Sequence, residues 1–409
     1  MKQLSKIMLA AVASVAIAAP AFAWDFGASG SSSAKFVQQT ITPATGDAST
    51  SANVTSLGSG VTVSSSNTDG ANSATFSYSA GWNDDGKNFD ESVSISGSKK
   101  VGNWTASSST SAHMQKDATG GGSTQANCPS AADRTTVCSN TGSTPMNARP
   151  SAVITLTDGS ITYKLGDASH LSTAEKTSSG PMDGTQDAEA SVDSFNGFSV
   201  GLGVGPGTLT VALQMASTGS SDGAAGTGDA SYLGEGTGGG AALDCGAQKT
   251  GFGLNFAGDI GADLTFTYGS GSSAASTRCT DNASSNSATY SVMGLGVAIP
   301  VGGMTIAIDY GSNASLWTIN AAEGGSAKSG WELSLTMPVG DATAGVNLSS
   351  TASITTTDGV AGDADVTGGT ELWYTVPIGA VSLSAGYGSS AVVDGTATTQ
   401  MGAEMSMSF

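Results

Sequence analysis

Apolar and polar residues alternate in many short segments of this chain. In residues 397–409, Met401, Ala403, Met405 and Met407 occupy every second position, and polar residues such as Glu404 lie between them. A period of two is typical of a β-strand whose two faces meet different surroundings. The segments that we predict as strands are 24–34, 57–66, 73–82, 89–97, 103–113, 150–157, 160–168, 192–204, 207–216, 249–257, 262–270, 287–299, 303–312, 329–337, 341–352, 369–376, 380–389 and 397–409.

Short and long connections alternate between these strands. Residues 299–302, 337–340 and 376–379 repeat an apolar-Pro-apolar-Gly sequence, which predicts hairpin turns with proline at the corner and glycine at a positive φ. The long connections are rich in Gly, Ser, Asp and Thr and lie near 114–149, 169–190, 217–248, 271–286, 313–328 and 353–367. This asymmetry predicts a transmembrane antiparallel β-barrel of 16–18 strands, with short periplasmic turns and long external loops. The number is 16 if the first two strands, which have the weakest pattern, are absent.

Residues 1–23 have the features of a secretory signal peptide. Lys2 and Lys6 precede an apolar stretch over residues 7–19, and the small-x-small sequence of residues 21–23 predicts cleavage after Ala23. The barrel is then predicted to comprise residues 24–409. Together, export and the barrel pattern predict a location in the bacterial outer membrane.

The charge of the mature chain excludes a broad nucleic-acid-binding surface. The full sequence has 14 basic and 33 acidic residues, and loss of the two signal lysines leaves 12 basic residues and a net charge of −21. Binding to nucleic acid needs clustered Lys and Arg. The apolar alternation is also thin, which favours a barrel with a wet interior over a chain with a packed core.

Alternation assigns Lys164, Asp309, Glu332 and Glu404 to the inner face of the barrel. An ionised group on the lipid face costs about 2–4 kcal/mol at the bilayer midplane. These four residues are therefore candidates to line the channel. The alternative is a place at the rim, where both faces are wet.

Four cysteines, Cys128, Cys138, Cys245 and Cys279, lie in the long polar connections. An even number in an exported chain favours disulfides. Three connectivities are open, and we favour Cys128–Cys138 with Cys245–Cys279 because each pair is nearest in sequence. The chain has no CxxC motif and only two histidines, so no metal site is predicted. The acids of residues 358–365 could hold calcium, but they lack a defined loop motif.

Several segments resemble the general porins of Gram-negative bacteria, a trimeric family. The resemblance lies in residues 94–104, in the hairpin of residues 149–166 and in the terminal Phe409. It implies a homotrimer in outer-membrane lipid and an inward-folded constriction loop at residues 168–194. The candidate acids of that loop are Glu175, Asp183, Asp187, Glu189 and Asp193. The mature chain has only three arginines, so it departs from the arginine ladder that usually opposes such acids.

The function predicted from these features is passive diffusion of small hydrophilic solutes and ions. The acidic balance predicts a preference for cations. A substrate-specific channel is one alternative, although most Tyr and Trp residues, Tyr290 and Trp373 included, are assigned to outward-facing aromatic girdles. A structural surface protein or adhesin is another. No catalytic constellation is recognised, since only His113 and His170 could supply an imidazole base, and we predict neither an enzyme nor a cofactor.

Overall fold

A computed structural model describes most of the chain. The described residues are 24–69, 72–83, 88–115, 151–182, 195–214, 248–274, 287–319, 322–357, 360–393 and 395–409. The predicted signal peptide, all four cysteines and the loop acids Asp183, Asp187, Glu189 and Asp193 lie outside these ranges. No helix among the described residues is long and apolar enough to cross a membrane.

The described residues form β-strands joined by turns and short irregular segments. The strands are β1 (Asp25–Thr42), β2 (Ser49–Asp69), β3 (Asn72–Asn83), β4 (Asn88–Val101), β5 (Trp104–Gln115), β6 (Ser151–Thr157), β7 (Ile161–Ala168), β8 (Phe195–Val204), β9 (Gly207–Gln214), β10 (Gln248–Asp259), β11 (Asp263–Ala274), β12 (Ser287–Val301), β13 (Met304–Ile319), β14 (Ala322–Val339), β15 (Ala342–Thr357), β16 (Val360–Ala361), β17 (Asp365–Ile378), β18 (Val381–Val392) and β19 (Ala397–Ser408).

These strands form one antiparallel sheet that closes on itself. Neighbours in sequence pair with each other, and β1 pairs with both β2 and β19. The two-residue β16 is an addition at the edge of β15, which also pairs directly with β17. The remaining eighteen strands correspond one to one with the predicted segments, so the antiparallel β-barrel expected from the sequence is confirmed.

The described residues divide into two compact units. The first contains those within 24–32, 58–115 and 151–152 together with residue 409, and the second contains those within 33–57 and 153–408. In the first unit, one face of β3 and β4 carries hydroxyl pairs at hydrogen-bond distance, such as Ser73–Ser98 at 2.8 Å and Ser77–Ser94 at 2.6 Å. The opposite face exposes apolar side chains, including Ile95.

In the second unit, the two faces of the sheet carry different kinds of side chain. Across β13 and β14, Tyr310 pairs with Trp331 and Asp309 pairs with Glu332. The side chains of Tyr310 and Trp331 are 39% and 46% exposed, whereas Asp309 is fully buried. Residues directly opposite in an antiparallel pair share a face. The apolar residues therefore define the outer face, and the polar residues define the inner face.

The proline-containing turns differ from the prediction in one respect. Pro300 pairs with Thr305 inside the β12–β13 ladder, and the turn itself is formed by Gly302 and Gly303, at φ values of 59° and 88°. Two consecutive positive φ values are accessible to glycine without a steric cost. The positive glycine φ was expected correctly, but the placement of proline at the turn corner is wrong.

Two predicted long connections are largely strand. β13 and β14 continue through most of residues 313–328, and β15, β16 and β17 occupy most of residues 353–367. The alternation there is carried by Ser, Thr, Gly and Ala, which resemble loop residues in composition although the backbone pairs continuously. β1 and β2 are likewise present and longer than predicted, at 18 and 21 residues.

Candidate functional site

Residues 169–182 follow β7 and lie along the inner face of the second unit. We call this segment the strap. From Ser172 to Met182 it passes from β10 and β11 to β17 and β18, six steps between paired strands. Six steps span about 29 Å along the wall, which is within the reach of about 33 Å that ten extended residues have. The strap therefore follows the wall across the strands.

The start of the strap is held by a buried histidine and an apolar cluster. Leu171 packs with Phe195, Ala212 and Val292, and the ring of His170 lies 4.6 Å from that of Phe195. His170 Nε2 is 3.0 Å from the carbonyl oxygen of residue 166, which can only accept, so Nε2 carries the proton. Burial lowers the pKa of His170 below its usual value, which favours this neutral form.

The next anchor is the carbonyl oxygen of Ser172. It accepts hydrogen bonds from Asn255 Nδ2 at 3.3 Å and from Thr267 Oγ1 at 2.6 Å. Asn255 and Thr267 face each other in the β10–β11 ladder and are both buried. A side-chain amide and a hydroxyl thus satisfy a backbone acceptor that has no strand partner.

The centre of the strap rests on Gly296 and Asp309, which are opposite each other in the β12–β13 ladder. A Cβ at position 296 would overlap the carbonyl oxygen of Ala174, so only glycine allows this approach. Asp309 Oδ2 accepts from the backbone nitrogens of Lys176 at 2.8 Å and Thr177 at 2.7 Å and from Thr177 Oγ1 at 2.7 Å. Asp309 Oδ1 accepts from Lys176 N at 2.9 Å. Hydrogen bonds to a charged acceptor are the stronger kind.

The side chain of Lys176 makes a different contact. Its Nζ lies 2.9 Å from Asp263 Oδ2, in an ion pair whose side chains are 18% and 57% exposed. An ion pair that is exposed to solvent to this extent contributes little to stability. The backbone of residue 176, rather than its charge, is therefore the main attachment at this point.

Polar side chains of β14 and β15 hold the backbone of Ser178. Its backbone nitrogen donates to Ser334 Oγ at 3.1 Å, and its carbonyl oxygen accepts from Asn347 Nδ2 at 3.2 Å. The same amide donates to Glu332 Oε1. Glu332 therefore acts on the strap through Asn347, since its own carboxylate orients the amide.

The end of the strap is attached to β17. Glu371 Oε2 accepts from Gly180 N at 2.9 Å, and Oε1 accepts from Met182 N at 2.7 Å. The indole of Trp373 packs against Gly180 and Gly345, where any Cβ would overlap the ring. Trp373 belongs to the inner face, so its assignment to an outward girdle is wrong. The same correction applies to Tyr290, which pairs with the buried Ser315.

The structure places the four predicted inner-face residues as follows. Asp309 and Glu332 are buried beneath the strap. Lys164 is half-buried, shares a face with Ser199 and donates from Nζ to the carbonyl oxygen of residue 169 at 2.9 Å. Glu404 pairs with Ser384 in the β18–β19 ladder.

The strap holds one of the predicted loop acids. Glu175 is exposed on the strap, and the other four acids lie outside the described residues. Glu371 was missed by the sequence reasoning although alternation could have found it, since Leu372 and Tyr374 are outward-facing and exposed. Over the described ranges, no group of three or more His, Cys, Asp and Glu residues is placed to bind a metal ion.

Comparisons with known proteins concern the fold. No protein-family model and no curated protein matches the chain. Among solved structures, in-vitro folded OmpT, an outer membrane protein of Vibrio cholerae in its trimer form, is 9% identical, with a TM-score of 0.44 over 95% of this chain and 100% of that chain. An anion-selective porin from Comamonas acidovorans is 11% identical, with a TM-score of 0.43 over 94% and 100%. OccK7 (OpdD) of Pseudomonas aeruginosa is 9% identical, with a TM-score of 0.37 over 94% and 99%.

Similarity at this level of identity does not extend to what the chain does.

Proposed function

We propose that this protein is an outer-membrane porin that lets small hydrophilic solutes and ions diffuse through a water-filled barrel. The observation that carries the proposal is the strap, an irregular polar segment that lies against the inner face. Irregular backbone at membrane depth is tolerated only where it is buried in protein or lines a water-filled cavity. Placed there, the strap would narrow the lumen and act as the constriction that the sequence predicted for residues 168–194.

The proposal includes a preference for cations. Its support is the mature charge of −21 and the position of Asp309 and Glu332 on the inner face. A low-dielectric wall that carries one sign of charge raises the local concentration of the opposite ion. Export with cleavage after Ala23, disulfides among the four cysteines and assembly as a homotrimer in outer-membrane lipid stay predictions from the sequence.

A substrate-specific channel is less well supported. Sugar-specific transport would need aromatic rings exposed along the lumen. The indole of Trp373 faces inward, but it packs against Gly180 and Gly345, and Tyr290 is buried. Tyr290 is therefore not available as a surface for a passing solute, and the half-buried Trp373 offers only part of one ring.

The deciding experiment is single-channel recording of the purified, detergent-folded protein in a planar bilayer. Open channels with conductance proportional to salt concentration support the porin. A reversal potential in a KCl gradient that indicates K⁺ over Cl⁻ supports the cation preference. A folded barrel that does not conduct would favour a structural role, and conductance that one solute blocks saturably would favour a substrate-specific channel.

A further inference from the structure

We infer that the inner face of the first unit is a hydrogen-bonding surface for uncharged solutes with many hydroxyl groups, and that acyclic polyols are the solutes it favours. The surface consists of serine and threonine side chains on β2, β3, β4 and β5, and we call it the hydroxyl face. The inference rests on the proposed function, because it states which of the small hydrophilic solutes that enter the barrel interact best with this part of its wall.

The register of the four strands builds the hydroxyl face. Residues directly opposite in an antiparallel pair share a face of the sheet, so pairing continues a row of side chains across all four strands. Three consecutive rows consist only of serine and threonine: Thr68, Ser73, Ser98 and Ser107; Ser66, Thr75, Ser96 and Ser109; Ser64, Ser77, Ser94 and Ser111. Every position of these rows carries a hydroxyl group, whereas the opposite face is mixed and includes Phe76, Ile95 and Ser108.

Hydrogen bonds between the side chains hold the hydroxyl oxygens in place. The hydroxyl oxygens of Ser73 and Ser98 are 2.8 Å apart, and those of Ser77 and Ser94 are 2.6 Å apart. A bond between two hydroxyl groups uses one of their two hydrogens and one of their four lone pairs. Each pair therefore retains a donor and several acceptor positions for a solute, at oxygens whose places are already fixed.

The hydroxyl face is open to solvent and carries no charge. All the side chains of the three rows are half-buried or exposed. The row that follows at one end contains Lys100, which pairs with Thr105. Within the three rows an ion meets no opposite charge, whereas a hydroxylated solute meets partners for both its donors and its acceptors.

The chemistry of the hydroxyl face indicates the class of solute. A hydroxyl group both donates and accepts, so each polyol hydroxyl can complete whichever function a wall hydroxyl has left, and a carboxylate, which only accepts, cannot. Successive rows are about 7 Å apart along a strand, and an extended chain of six carbon atoms is about 6 Å long. One six-carbon polyol can therefore contact two rows. Ring sugars differ, because their apolar faces need aromatic partners and the three rows contain only Ser and Thr.

The test measures how fast proteoliposomes swell in sorbitol, a polyol, and in betaine, which has a carboxylate and no N–H or O–H donor. The ratio of the two rates does not depend on the amount of inserted protein. Ser77→Ala with Ser94→Ala removes one hydroxyl pair, and replacing both partners leaves neither hydroxyl unpaired. The matched control is Ser65→Ala with Ser108→Ala, the same chemical change on the opposite face. Ser77→Thr with Ser94→Thr keeps both hydroxyl groups.

We expect the sorbitol-to-betaine ratio to fall about fivefold in the Ser77 and Ser94 alanine variant, the equivalent of one net hydrogen bond to the solute. The outer-face control and the threonine variant should each keep the ratio within about twofold. Heat-modifiable gel migration shows whether each variant is folded, and Ser73→Ala with Ser98→Ala serves if the first alanine variant is not. The inference is overturned if a folded alanine variant keeps the ratio within about twofold, or if either comparison variant loses as much. Wild-type liposomes that swell in neither solute refute the proposed function as well, which distinguishes the two failures.

Discussion

Replacing Gly296 with valine tests whether the strap is seated on the wall. A Cβ at this position would overlap the carbonyl oxygen of Ala174 and lie 2.7 Å from Asp309 Oδ1. Ordinary contacts need about 3.5 Å, so the strap would have to move away. The hydrogen bonds from Lys176 and Thr177 to Asp309, at 2.7–2.9 Å, would then be lost. Each is worth about 1.5–3 kcal/mol because its acceptor is charged.

Hydrogen–deuterium exchange of the strap amides measures this loss directly. Breaking two of these bonds should cost at least about 3 kcal/mol and speed exchange at Lys176 and Thr177 by at least about 100-fold. Gly201→Val is the matched control, because Gly201 also faces inward and its Cβ would have room at 3.4 Å from Thr208 Cγ2. If the amides of Lys176 and Thr177 remain equally protected from exchange in Gly296→Val, the strap is not held against the wall at this point.

Three further results are expected from the same exchange measurement. Burial lowers the pKa of His170 in the attached strap, so as the pH falls His170 takes up a proton in the released strap first. Attachment of the strap should therefore weaken below about pH 6.5 and should not change above it. This pH dependence should be absent in His170→Gln. Lys176→Met should change exchange less than about fivefold, because an ion pair with the exposed Asp263 is worth less than about 1 kcal/mol. Trp373→Ala removes the ring that packs on Gly180. It should weaken the attachment of the strap end by about 3 kcal/mol, the low end for a Trp→Ala change because the indole is half-buried, with faster exchange there and little change at Lys176.

The strands and their faces could be predicted because each follows from local pattern. Outward Tyr310 and inward Asp309 are adjacent in sequence, and the pleat sends them to opposite faces. The errors occurred where the local signal is ambiguous. Residues 313–328 read as loop by composition, yet Ser315 pairs with Ser326 inside a continuous ladder and their hydroxyls lie 2.9 Å apart. Small polar residues suit a wet inner face as well as a loop.

The contacts of the strap could not be predicted from its own residues. Lys176 and Asp309 are 133 positions apart, and the atoms that join them on the strap side are mostly backbone nitrogens. Any residue other than proline supplies such a donor, so the strap sequence does not reveal where it binds. The family resemblance suggested an inward loop, but it did not identify Asp309, Asn347 or Glu371 as its partners.

The residues of the barrel wall, rather than those of the strap, indicate where the strap binds. An inward-facing acid on a strand is costly to bury without donors, and an inward-facing glycine weakens a strand without contributing a side chain. Where the two are opposite each other, as Asp309 and Gly296 are, each explains the other: the glycine lets a foreign backbone come close, and the acid accepts its amide hydrogens. At the other end of the strap, Glu371 accepts the amide hydrogens of Gly180 and Met182 and is likewise opposite a glycine, Gly388, in the β17–β18 ladder. An acid and a glycine at paired inward positions therefore indicate where a segment that crosses the strands is bound. This pattern can be recognised in a sequence once the register of the strands is known.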